Sequence, residues 1–200
     1  MKQPTVLRKA RGAALVVTLV MLVVVTLLGV TAARVALNDE RSARAGRDRD
    51  LAFQAAESAL RDAMTDIDSG LRAALFKTTV GFEANCPDVD LPADDAAAAS
   101  SRRGLCTSQD ATATRQAYQD VDFDDRGVPF GTFTQRSWNA SVVPSPNYIV
   151  ETVPCIVPSW EVTDSGKPPE MVCFRITAVG RGPAGSNIEV ALQSYYVRIP

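Results

Sequence analysis

From Gly12 to Ala33 the chain carries no Lys, Arg, Asp or Glu. As an α-helix, Ala13–Ala33 would rise about 32 Å at ~1.5 Å per residue, close to the ~30 Å hydrocarbon core of a bilayer. A helix of a soluble core is seldom apolar on every side for that length, so the segment is read as lying in a membrane. Lys2, Arg8, Lys9 and Arg11 precede it without an acid, whereas Arg34, Asp39, Glu40 and Arg41 follow it with mixed sign. That asymmetry puts the N-terminus on the cytoplasmic side and the rest of the chain across the membrane. Three kinds of segment begin this way. A secretory signal is removed at the far end, here after Val30-Thr31-Ala32, although its apolar core normally spans only ~7–15 residues. A permanent anchor is not cut, and a third kind is cut at the near edge, beside Gly12.

The four cysteines, Cys86, Cys106, Cys155 and Cys173, all lie beyond the apolar run and form no CxxC pair. Zinc and thioredoxin-like readings are therefore weak, and an even set suggests disulfides in an oxidising compartment. Of the three possible connectivities, the sequential pairs Cys86–Cys106 and Cys155–Cys173 are favoured. This compartment is the one the charge asymmetry indicates.

The chain has no histidine, which removes the usual base of nucleophilic triads and the commonest metal ligand. No enzyme activity, cofactor or metal is expected. Beyond residue 62 there are 11 basic and 17 acidic side chains. Nucleic-acid binding, which needs a basic footprint, is not expected either.

Residues 34–75 contain no proline and read as a second, amphipathic stretch of helix. Phe53, Ala56, Leu60, Ala63, Ile67, Leu71 and Ala74 recur at steps of three and four, one apolar stripe. Glu57→Arg61 and Asp68→Arg72 stand at i,i+4 in the favourable order for ion pairs. Asn38–Asp50, rich in charge and without a large apolar residue, reads as a solvated stalk in which Gly46 invites a break.

Past Leu75 the pattern changes, and residues 76–200 read as a globular β head. Residues 85–127 are poor in large apolar side chains and read as a loop-rich insertion. Asp120, Asp122, Asp124 and Asp125 sit near calcium-loop spacing, but the glycine is misplaced and no closing glutamate follows; a solvated acidic loop is expected. Asn139-Ala140-Ser141 matches a glycosylation sequon. Strands are expected at Thr132–Val143, Tyr148–Val153, Met171–Gly180 and Asn187–Arg198, the last two as a hairpin around "RGPAGS". Ile188, Val190 and Leu192 alternate with Glu189, Ala191 and Gln193, so one face of the last strand needs cover. Ile67, Leu71 and Leu75 of the helix are its natural partners. The fold class is α+β: a long N-terminal helix packed on a C-terminal antiparallel sheet. Trp160, in "VPCIVPSW", is a candidate contact residue.

The basic leader ending in Gly12 and the apolar helix that follows resemble a type IV prepilin. Over "RGAALVVTLVMLVVVTLLGVTAARVALNDERSARAGRDRDLAFQAAESALRDA" the chain is similar to the N-terminal region of PilX-type minor pilins, and "FRITAVGRGPAGSNIEVALQSYYVRIP" resembles that family's last strands. The resemblance implies a leader of residues 1–12, cut by a membrane peptidase between Gly12 and Ala13, with Ala13 N-methylated. It also implies a membrane segment 13–33 and a periplasmic helix 34–75. The mature fifth position, a glutamate in major pilins, is Val17 here. The implied role is a minor pilin that initiates, caps or modulates type IV pilus assembly near the filament tip, in adhesion or motility. The implied partners are other minor pilins, the major pilin, the prepilin peptidase, the inner-membrane assembly platform and a tip adhesin. The implied location is the inner membrane with a periplasmic head, then the extracellular pilus. The alternatives are a minor pseudopilin of a type II secretion system and a soluble periplasmic binding protein with a cleaved signal.

Overall fold

A computed structural model describes residues 13–78, 81–83, 86, 101–107, 117–155 and 171–198. It divides into two compact units, Met1–Gly46 and Arg47–Pro200. Helix α1 (Ala13–Ser69) is followed by a one-turn helix α2 (Leu75–Thr78) and strand β1 (Leu105–Thr107). A short helix α3 (Ala117–Asp120) and strands β2 (Val128–Pro129), β3 (Asn147–Val153), β4 (Val172–Arg181) and β5 (Glu189–Arg198) complete the order.

In the first unit the side chains of the apolar run are exposed, Leu15 at 68% and Val24 still at 44%. The hydroxyls of Thr18, Thr26 and Thr31 donate to the carbonyls of Leu15, Val23 and Leu28, so each polar group is satisfied on its own helix. Gly46 does not break α1. A Cβ there would meet nothing within 4 Å, and the helix tolerates the glycine at a cost of about 1 kcal/mol.

In the second unit, α1 lies on one face of a five-stranded sheet of order β1-β3-β4-β5, with β2 also paired to β3. The sheet is mixed. β3, β4 and β5 form the expected antiparallel ladders, but β1 runs parallel to β3, pairing Leu105 with Val150 and Thr107 with Thr152. The period-2 alternation fixes the faces. Tyr148 and Val150 of β3 and Phe174, Ile176 and Ala178 of β4 point to α1, where Ala59, Leu60, Ala63 and Ile67 meet them in one buried cluster. Phe76, Leu105, Val128 and Phe133 close its edges. Helix and sheet come closest at Gly180, where a Cβ would lie 2.2 Å from the Ala52 carbonyl oxygen and 2.5 Å from the Ala56 nitrogen. On the opposite sheet face Ile149 packs on Cys86 and Cys106, with Tyr118, Val121 and Phe123 around them.

The buried stripe of α1 differs from the expected one at both ends. Ala56, Leu60, Ala63 and Ile67 are buried, but Phe53 is 47% exposed and Leu71 is 71% exposed. Alanines at 52, 55 and 59 take the inner positions instead, and Phe53, about 100° round the helix from Ala52, falls on the flank of the buried face. Leu71 falls outside because the helix ends at Ser69, short of the expected Leu75, in a turn that opens at Gly70. Arg198 Nη1 donates to the carbonyls of Ile67 (2.5 Å) and Ala73 (3.1 Å), taking acceptors that a continuing helix would have used. The expected strand Thr132–Val143 is instead two turns joined by irregular chain. Gln135 N donates to Gly131 O at 2.8 Å, and Gly131 and Gln135 both have positive φ, +80° and +60°. Leu192 and Tyr196 of β5 do pack against the α1 cluster, as the alternation required.

Candidate assembly interface

The first unit presents the feature on which function turns: a helix long and apolar enough to cross a membrane, by length and composition, with none of its apolar window buried. Ala13 is the first residue described, and Gly12 lies outside the described residues. Val17 is an exposed apolar side chain, 56% accessible. A charge there would be costly in lipid without a partner. Valine carries no such cost and offers no such pairing. At the end of the run, Glu40 and Arg44 form an exposed i,i+4 pair at 2.5 Å.

The second unit is a head fastened by polar groups that periodicity does not reveal. Asp62 and Asp66 sit fully buried on the inner face of α1. Asp62 accepts from the Gly131 backbone N–H (2.7 Å) and from the Thr134 hydroxyl, holding the turn that replaced a strand. Asp66 Oδ2 accepts from Arg72 Nε and Nη2 (2.8 and 2.7 Å) and from the Tyr148 hydroxyl (2.9 Å). The expected Asp68–Arg72 pair is therefore not made. The chain turns at Gly70, Arg72 folds inward, and its Nη1 reaches the carbonyls of Ser101 and Arg103. Asp68 accepts instead from the Tyr196 hydroxyl of β5. Glu57 and Arg61 do pair on the exposed face.

Burial raises the Asp66 carboxyl above its ordinary range, with the Arg72 guanidinium acting against it. Burial, and next the Asp66 charge, push the Tyr148 hydroxyl well up. On the far sheet face Glu151 is fully buried and takes both Arg175 Nε and Nη2, at 2.8 and 2.9 Å, beneath the Tyr118 ring. These networks hold the head together.

Cys86 is bonded to Cys106 and Cys155 to Cys173. The first staples the cover of the far sheet face, and the second closes the β3–β4 hairpin. A small apolar groove of about 180 Å³ lies beside the second bond, lined by Val153, Pro154, Phe174, Tyr195, Tyr196 and Val197. In the acidic loop Asp122 accepts from the Asp124 N–H at 2.9 Å, and Asp124 pairs with Arg181 at 2.6 Å. Among the described residues no group of three or more potential ligands could hold a metal ion. Asn139 is exposed and its Oδ1 accepts from the Ser141 N–H and hydroxyl. Trp160 lies outside the described residues.

An N-terminal helix with an exposed apolar segment, whose later turns pack on a disulfide-stapled sheet, is the architecture of a pilin subunit. Two family models fit the sequence: PilX N-terminal over residues 11–61, and Type IV pilus assembly protein PilX C-term over residues 95–198. The chain belongs to the PilX family, the minor pilins of type IV pilus assembly, which associate with other pilus components. No curated protein and no solved structure matches it.

Proposed function

We propose that this minor pilin acts at or near the pilus tip, initiating, capping or modulating the filament rather than repeating along its shaft. Residues 1–12 are a leader, cut between Gly12 and Ala13 by the prepilin peptidase, and Ala13 becomes the methylated terminus. The 13–33 segment waits in the inner membrane with the head in the periplasm, and the assembly platform then moves it into a bundle of like helices. Its neighbours there are other minor pilins, the major pilin and a tip adhesin, and the filament serves adhesion or motility.

The observation that carries this reading is Val17 in the exposed, charge-free stretch of α1 that ends at Ala33. Without a carboxylate, the helix cannot neutralise the terminal amine of a neighbour inside an apolar bundle, the service a shaft subunit performs. The unbroken passage of α1 through Ala33 and on to Ser69 supports processing at the near edge, since one element joins the apolar run to the head-packing stripe.

Labelling of sheared pili for the head tests the position. Label at one filament end, a few copies per filament, is the expected result. Uniform label along the shaft contradicts it. Val17→Glu is expected to move label into the shaft.

A further inference from the structure

Of the asparagines Asn38, Asn85, Asn139, Asn147 and Asn187, only Asn139 has a serine or threonine two residues on, and the residue between is alanine, not proline. That is the acceptor pattern for an N-linked sugar. The structure displays it. Asn139, Ala140 and Ser141 are all exposed, in a turn and irregular chain between β2 and β3. No strand ladder ties them down. The turn is braced on either side of the pattern: Trp138 Nε1 donates to the Val143 carbonyl at 3.1 Å, and its ring lies 5.1 Å from that of Phe130. Val143 itself is buried. The three residues therefore stand out from a fixed base.

The Asn139 amide is used unevenly. Its Oδ1 accepts from the Ser141 N–H at 3.2 Å and from the Ser141 hydroxyl at 2.6 Å. Among the described residues Nδ2 makes no hydrogen bond. Asn147 is the contrast, since it is buried and its Nδ2 donates to the Phe123 carbonyl at 2.8 Å. Two donors on Oδ1 stabilise the negative charge that gathers on an amide oxygen when its nitrogen gives up a proton. Ser141 thus acts on Nδ2 through the shared amide, as a positioning residue.

We propose that Asn139 is a glycosylation site, and that its substrate is an oligosaccharide carried on a lipid pyrophosphate and delivered by a membrane transferase. The inference rests on the reading that the head lies across the membrane. In the step, Nδ2 forms a bond to the anomeric carbon and the bond from that carbon to the pyrophosphate oxygen breaks. The lipid pyrophosphate leaves with the electron pair, the amide proton passes to a base of the transferase, and nothing is oxidised or reduced. An N-linked sugar is bulky and hydrophilic. The turn that carries it stays in solvent, so this side of the head is not one that packs against another subunit.

The test is mass spectrometry, intact and resolved by peptide, of the full-length protein isolated from its native host. The peptide carrying Asn139 is expected to be heavier by whole sugar residues. That mass is expected to be lost in Asn139→Gln and in Ser141→Ala and to be kept in Ser141→Thr. All these positions are exposed, so the variants should melt with wild type. A bare Asn139 overturns the proposal, as does a sugar whose occupancy is unchanged in Ser141→Ala. A sugar that survives Asn139→Gln is attached elsewhere and overturns it as well. The same intact masses report the N-terminus separately. A chain beginning at Ala33 with the sugar in place contradicts the functional reading and leaves the site standing; a chain beginning at Ala13 with Asn139 bare does the reverse.

Discussion

Gly180→Ala tests how α1 is docked on the head. A Cβ at Gly180 would lie 2.2 Å from the Ala52 carbonyl oxygen, 2.5 Å from the Ala56 nitrogen and 3.0 Å from the Ala55 Cβ. The first two are helix backbone atoms and cannot rotate away, so α1 must move off β4 by about 1 Å to restore an ordinary contact, opening the Ala59–Ala63–Ile67 contact with Phe174 and Ile176 beyond it. Overpacking of this kind costs roughly 1–3 kcal/mol. For a unit of this size each kcal/mol lowers Tm by about 2–4 °C, so a fall of roughly 2–12 °C is expected. The assay is thermal unfolding of the detergent-solubilised full chain, followed by near-ultraviolet circular dichroism. Gly46→Ala is the control, since no atom lies within 4 Å of its Cβ; it is expected to leave Tm unchanged or raise it slightly. A Gly180→Ala chain that melts within a degree of wild type would refute the close-packed helix–sheet contact.

The buried pair on the far sheet face predicts that Glu151→Ala, which removes the carboxylate that takes Arg175 Nε and Nη2, lowers stability by about 3–5 kcal/mol; a loss under 1 kcal/mol in denaturant titration contradicts the pairing. Asp66 has its carboxyl raised by burial, so the fold favours the protonated form, and that contribution is lost as pH rises through the raised value. The stability of wild type minus that of Asp66→Asn should therefore fall as pH rises from the ordinary carboxylate range through the raised value, and a rise would overturn the assignment. Replacing Cys155 and Cys173 by serine opens a loop of 18 residues and should cost about 3 kcal/mol, read as a denaturation midpoint below that of wild type.

Much of this architecture can be read in the chain because it rests on local chemistry. The apolar run, the proline-free helix, the alternation in β4 and β5 and the turn signals between them each depend on neighbours a few residues apart. Sequential cysteines lie close along the chain, and the structure joins them in that order. Other features depend on partners far away. Asp62 and Asp66 look like solvent-facing acids on a helical wheel. They are inside because Thr134 and Tyr148, 72 and 82 residues on, bring hydroxyls to them. Phe53 looks like core and is exposed because the face turned to Gly180 is centred on Ala52, Ala55 and Ala56, which leaves Phe53 on its flank. The break at Gly70 left Leu71 outside and turned Arg72 inward, where periodicity assigned the reverse. β1 has three residues and no alternation to detect, so its parallel register with β3 came only from the fold.

The central claim, that this is a prepilin processed at the near edge of its apolar run, is tested most directly by intact mass and N-terminal sequencing of the protein from its native membrane. A chain beginning at Ala13, heavier by one methyl group, is the predicted result. A chain beginning at Ala33 would contradict it, because the apolar helix would then have been discarded as a secretory signal.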